Sequence, residues 1–121
     1  MGKQRNPLIA GMKIYIAGPY TNGDVAVNVR NAIEAGNRLF EEGAIPFVPH
    51  LTHFWHMLYP QDYIDWLHYD TRWLGCCDIL LRIDGESEGA DEEVATALAL
   101  TIPVYYDIRE LLLCTPDAPL K

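Results

Sequence analysis

The alternation of polar and apolar positions changes rhythm several times along the chain, and each change marks an element. The clearest case runs from Asp78 to Tyr106, "DILLRIDGESEGADEEVATALALTIPVYY". Here "ILLRI" is a short apolar run flanked by polar residues, the pattern of a strand covered on both faces. "DGESEGAD" adds two glycines and a cluster of acids, a loop with tight-turn capacity. "EEVATALALT" consists mostly of good helix formers and predicts a helix starting near Asp91. Pro103 then opens a second strand, "PVYY". These pieces form a right-handed β-α-β crossover, and open α/β sheets bind ligands just beyond the carboxyl ends of their strands. The chemistry of the chain is therefore expected around the acidic loop.

The remaining segments fit the same architecture. "KIYIAGPYTNGD" predicts a strand from Lys13 to Ala17 and a loop holding Gly18, Pro19, Asn22 and Gly23. A helix follows from about Val25 to Glu42, with Val29, Ala32, Ile33, Gly36, Leu39 and Phe40 on one apolar stripe. Asp24 or Asn22 suits its N-cap, and Gly43 its stop. "AIPFVP" predicts a strand bounded by prolines. Another helix, about Gln61 to Leu74, carries Tyr63, Trp66, Leu67, Trp73 and Leu74 on its stripe. The last stretch, "DIRELLLCTPDAPLK", predicts a short amphipathic helix and a proline-bearing tail. An exposed Leu111–Leu113 run would call for a neighbouring molecule. Residues 1–12 read as a loose leader ahead of a single domain over residues 13–121, with no internal repeat or linker.

Composition narrows the function classes. A chain of 121 residues makes one domain with a real core, and its 50% hydrophobic content excludes disorder. The net charge of −8 argues against a nucleic-acid polymer as partner, since binding along phosphates needs a basic patch. One small nucleotide held by local N–H groups is still compatible. No apolar run approaches the roughly 20 residues of a membrane span. The first residues contain too short an apolar core for a signal peptide, so a cytoplasmic protein is expected. Cys76, Cys77 and Cys114 are an odd number without C-x-x-C spacing, which reads as buried free thiols.

Four places carry candidate chemistry. Glu93 is expected to share an inward helix face with Ala97 and Leu100 and to lie in the first turn, where the helix dipole favours a carboxylate. Acids also decorate helix starts for stability alone, but Ser87 six residues earlier, with Gly89 between, suggests the mouth of a site. Asp70 falls on the tryptophan-bearing stripe, where a carboxylate is costly unless paired. It is either a structural partner of Arg72, Arg82 or a hydroxyl, or an acid with a perturbed pKa that acts on a ligand. The glycine-bearing loop at Gly18 precedes a helix, an arrangement that can cradle phosphate, but it lacks the P-loop and dinucleotide patterns and reads as an ordinary turn. His50, His53 and His56 recur every third residue. They cannot all converge on one metal, and no third ligand type stands near. With Phe54, Trp55 and Met57 the segment reads instead as an aromatic wall or lid over a pocket.

"KIYIAGPY", "YIDWLHYD", "CCDILLRIDGESEGADEE" and "IPVYY", in this order and spacing, resemble the nucleoside 2-deoxyribosyltransferase-like superfamily over roughly Lys13 to Glu110. That superfamily includes deoxyribosyltransferases, deoxynucleoside 5′-monophosphate N-hydrolases and small members of no assigned activity. The resemblance implies an α/β, flavodoxin-like (Rossmann-like) three-layer fold with a four- or five-stranded parallel sheet. It also implies cleavage of an N-glycosidic bond; no cofactor or metal is expected. It places the nucleophile on Glu93, the first-strand tyrosine on Tyr15, and the acid contacting base or sugar on Asp70. It sets Ser87 where the transferases carry aspartate and the monophosphate hydrolases carry a phosphate-binding serine, which tilts the expected substrate towards a nucleotide. Gly18, Ser87, Gly89, Asp84, His50 and Trp55 are the expected substrate contacts. It further implies a homodimer or higher oligomer.

The chemistry is coherent without the resemblance. Glycosidic cleavage passes through an oxocarbenium-like state that a carboxylate can attack, while Asp70 or another acid such as Asp84 assists the leaving base. A non-catalytic nucleotide-sensing module of the same fold is the alternative, since fold alone does not decide function. A flavodoxin-type electron carrier has no flavin-specific feature to support it.

Overall fold

The computed structural model describes residues 6–113. Strand β1 (Lys13–Ala17), strand β2 (Ile45–Phe47), strand β3 (Ile79–Arg82) and strand β4 (Val104–Tyr105) form one sheet in the order β2-β1-β3-β4. All three pairings are parallel, with Tyr15 opposite Phe47 and Leu80, and Leu80 opposite Val104. The fold is the flavodoxin-like three-layer α/β arrangement, with four strands. At the β2 edge, the Ile45 N–H bonds the Met12 carbonyl at 2.8 Å, and Pro46 is the next residue.

Five helices complete the layers: α1 (Val25–Glu41), α2 (Thr52–Leu58), α3 (Tyr63–Leu74), α4 (Glu88–Ala99) and α5 (Ile108–Leu112), with a 3-10 turn at Pro49–Leu51 before α2. Strand alternation sends Ile14, Ile16, Ile79 and Leu81 to one face, where Ala32 and Leu39 of α1 and Leu111 of α5 cover them. It sends Tyr15, Ala17 and Leu80 to the other face, against Leu74 of α3 and Ala90 and Ala97 of α4. The Asp24 carboxylate caps α1 by accepting from the Val27 N–H, and Gly43 takes φ +93° to end it, as the sequence leads one to expect.

Several expectations are corrected. Ile33 and Phe40 of the α1 stripe are exposed, as are Tyr63 and Trp73 of the α3 stripe; the buried strips of both helices are narrower than their apolar patterns. Helix α4 begins at Glu88, not near Asp91, because the Ser87 hydroxyl accepts from the Ala90 N–H and opens the helix three residues earlier. Glu93 therefore sits beyond the first turn. Leu111 is fully buried and Leu112 packs on the same cluster, so of that run only Leu113 is exposed. Residues 6–12, expected within a loose leader, form turns: Ile9 is buried in the core, the Asn6 N–H bonds the Glu42 carbonyl, and the Asn6 amide reaches the Leu112 carbonyl at 2.9 Å. Cys76 and Cys77 are free thiols, but Cys76 is exposed and Cys77 only half-buried, against the expectation of buried thiols. Cys114 and the proline-bearing tail lie outside the described residues.

Candidate active site

A cavity of about 320 Å³ opens at the carboxyl end of β1, walled by the loop after β1, the turn and helix at Pro49–Leu58, α3 and the start of α4. It collects Gly18, Tyr20, His50, Tyr63, Trp66, Asp70, Ser87, Gly89 and Glu93 from elements far apart in sequence. Gly18, His50, Asp70, Ser87, Gly89 and Glu93 were all expected at the site, and the cavity brings them together. Two expected contacts lie elsewhere. Asp84 lines a separate groove between α1 and α5 with Arg38, Tyr106 and Arg109, because it follows β3 on the opposite side of the strand end. Trp55 stacks edge-on against Trp66 and Tyr69 outside the cavity; it backs the wall and does not form it.

The floor is a carboxylate held by a phenol. Tyr15, buried under the cavity, donates its hydroxyl to Glu93 Oε2. Burial, the Glu93 charge and the Asp70 charge push the Tyr15 pKa far above its ordinary value, so the phenol keeps its proton and acts only as donor. Burial raises Glu93 to about 7, against the lowering influence of the Tyr15 bond and of Arg82. Arg82 itself is engaged with the Ile83 and Gly85 carbonyls and, at 3.1 Å, with Asp91 of α4.

Asp70 faces the same cavity from α3. Of the partners expected for it, none is present: its Oδ1 is buried without a hydrogen bond. Burial and then the Glu93 charge push it up to about 7. Two carboxyl groups, each near neutrality, thus share one aromatic-walled space.

The loop after β1 is fixed tightly. A Cβ on Gly18 would fall 2.3 Å from Ile83 Cγ1, so the Ile83 side chain would have to move, and one on Gly85 of the loop after β3, already at φ +116°, would fall 2.6 Å from Pro19 Cγ. Asn28 holds the Tyr20 and Asn22 carbonyls, and Asn22 reaches the Glu86 carbonyl. Sequence reasoning missed Tyr20, Tyr63 and Gln61 as wall residues; the tyrosines' partly exposed, polar-tipped aromatic character was the available signal. Gly89 has a visible reason: a Cβ there would press 3.3 Å from the Tyr63 hydroxyl.

The three histidines separate. His50 Nε2 lies 3.1 and 2.9 Å from the Gly18 and Pro19 carbonyls, His53 Nδ1 is 2.7 Å from the Tyr20 hydroxyl, and His56 Nδ1 accepts from Trp66 Nε1 at 2.9 Å. Among the described residues no group of three or more His, Cys, Asp or Glu is arranged to hold a metal ion, and no helix is long and apolar enough to cross a membrane.

In fold, the chain is similar to a 2-deoxyribosyltransferase from the psychrotolerant bacterium Bacillus psychrosaccharolyticus. The TM-score is 0.56 at 18% identity, over 86% of this chain and 93% of that one. At that identity the likeness shows a shared fold. No curated protein matches the chain. Residues 12–107 match the model of the family described as a domain of unknown function, DUF7768, and the chain belongs to that family.

Proposed function

We propose that this protein cleaves the N-glycosidic bond of a nucleoside, by hydrolysis or by transfer to a second base, through a covalent glycosyl-enzyme on Glu93. One observation carries the reading. Glu93, oriented by the Tyr15 hydroxyl, and Asp70, unpartnered at Oδ1, face one small cavity, both raised to about 7. A pair of acids tuned towards neutrality is what acid–base chemistry at the anomeric carbon requires.

In the first step ionised Glu93 attacks the anomeric carbon as its bond to the base nitrogen breaks. The electron pair of that bond goes to the base, which takes a proton from Asp70. The Tyr15 hydroxyl keeps the attacking carboxylate in place and retains its own proton. Water, or a second base, then attacks the same carbon and releases Glu93, with Asp70 accepting the incoming proton. The aromatic walls of Tyr20, Tyr63 and Trp66 offer stacking surfaces for a base.

Charge favours a nucleoside over the 5′-monophosphate. The acids Asp70 and Glu93 line the cavity, and its described lining contains no lysine or arginine. The Ser87 hydroxyl accepts from the Ala90 N–H as a helix cap. A dianionic phosphate would meet like charge there without a counter-ion. The solved neighbour is described as a biocatalyst for the synthesis of nucleosides, which points the same way. Self-association belongs to the same reading, with Phe54, Trp55 and Leu58 as exposed apolar surface to bury; sedimentation of the purified chain tests it.

The deciding experiment incubates the protein with nucleosides and their 5′-monophosphates and looks for free base by chromatography. Release from nucleosides is expected. A nucleoside that binds but is recovered intact under all conditions would overturn the catalytic reading in favour of a sensor.

A further inference from the structure

Helix α2 contributes no buried residue, and Met57, Leu58 and Tyr59 at its end are widely exposed. A helix without a core-facing stripe has little apolar burial to hold it. Beyond the edge-on contact of Trp55 with Trp66 and Tyr69, its place rests on polar contacts, and the three evenly spaced histidines supply them. His50, only 6% exposed, has carbonyl oxygens as both Nε2 partners, so Nε2 carries the hydrogen and donates to Gly18 and Pro19. Burial lowers its pKa, which keeps the ring neutral. One turn on, His53 Nδ1 meets the Tyr20 hydroxyl. Another turn on, His56 Nδ1 faces two N–H donors, Trp66 Nε1 at 2.9 Å and the Gln61 backbone at 3.2 Å, so this nitrogen is the acceptor. Gly18, Tyr20, Gln61 and Trp66 all line the cavity. They belong to two of its walls, the loop after β1 and the α3 side.

We propose that His50, His53 and His56 are positioning residues that fasten the segment Pro49–Leu58 as a bridge between the loop after β1 and helix α3, and so set the width of the cavity. None of the three needs to touch the reacting atoms. The spacing of three explains itself on this basis: successive side chains move partway round the helix and so reach the first wall twice and the second wall once.

The test uses the full chain and two readouts. Hydrogen exchange followed by mass spectrometry on His53→Phe and His56→Phe should show amides of residues 52–58 exchanging about tenfold faster, the factor expected from losing one net hydrogen bond. Exchange in β1, β3 and α4 should stay unchanged. His56→Asn, which retains an acceptor oxygen near the Nδ1 position, should restore most of the protection; a merely space-filling role would be met by Phe. The second readout rests on the proposed glycosidic reaction. With 2′-deoxyadenosine as probe, KM should rise about tenfold in His56→Phe while kcat stays within about twofold, because Glu93 and Asp70 keep their places. Unchanged exchange in both phenylalanine variants overturns the proposal, as does faster exchange that His56→Asn does not correct. Faster local exchange with rescue, in a protein that releases base from no nucleoside, supports the bridge and removes the glycosidic reading.

Discussion

The two faces of the sheet are built from the same strands and do opposite work. On the α1 side, Ile14, Ile16, Ile79 and Leu81 meet Ala32, Leu39 and Leu111 in a wholly apolar contact. On the α3–α4 side, the alternate residues of the same strands include Tyr15 and Arg82, and the helices facing them bring Asp70, Asp91 and Glu93. One face is filled; the other leaves a cavity and pushes two carboxyl groups towards neutrality. On the proposed reading, chemistry and stability are divided by the strand's two-residue period, so a substitution should affect one or the other according to which face of the sheet its position takes.

The largest effect should come from the polar face. Glu93→Ala is expected to lower the rate of base release by at least ~10³-fold, whereas Glu92→Ala, one position away and exposed, leaves it nearly unchanged; equal losses from both would remove the nucleophile assignment. Asp70→Asn should keep the fold and cost ~10²–10⁴-fold. The wild-type pH–rate profile should be bell-shaped about neutrality, with apparent pKa values that belong to the Asp70–Glu93 pair. The Asn variant should lose its alkaline limb, and an unaltered profile would return Asp70 to a structural role.

On the apolar face, Leu39→Ala should reduce unfolding free energy by about 2–5 kcal/mol while activity per folded molecule is preserved. Loss of activity in the folded fraction would show that the faces are not independent.

Stability should also depend on pH through the two carboxyl groups of the polar face. An acid whose pKa rises on folding holds its proton in the folded protein at pH values where the unfolded chain has released it. With Glu93 and Asp70 raised from about 4 to about 7, their contribution to folding is most favourable below pH 4 and is lost progressively as pH climbs through 7. Thermal melting should therefore show a decline over that window that is shallower in Glu93→Gln; an identical slope in the variant would count against the raised value.

The smallest effect is expected at Ser87, where Ser87→Ala should cost about 1 kcal/mol as a lost helix cap. If it weakens a 5′-monophosphate selectively and leaves melting unchanged, the hydroxyl serves a phosphate and the charge argument for a nucleoside fails.

The legibility of the sequence followed the same division. Strand β1, the crossover from β3 to β4, and the caps at Asp24 and Gly43 were readable because local pattern and tertiary role agree. Glu93 and Asp70 stood out as acids on apolar stripes, and the structure brings both to one cavity. The start of α4 was misplaced because Gly89 and Ser87 look like loop residues until the hydroxyl is seen to cap the Ala90 N–H. Trp55 was expected at the cavity and lies behind Trp66, a contact between two helices that sequence does not show; Asp84 lies away from the cavity for a different reason. Neighbourhood in sequence says which strand end a residue follows but not which side of the sheet its side chain takes. The hydrogen-bond partners of the histidines could not be read, since they lie on other elements.

Pro46 in β2 has a consequence for behaviour in concentrated solution. Strand β2 is an edge, and along a parallel strand successive N–H groups point alternately to either side. The Ile45 N–H points inward to Met12, so at Pro46 the outward position has no donor to offer. A strand from another molecule arriving at this edge would find a break in the row of hydrogen bonds it needs. The edge is protected against runaway stacking by one residue that costs the native sheet no bond.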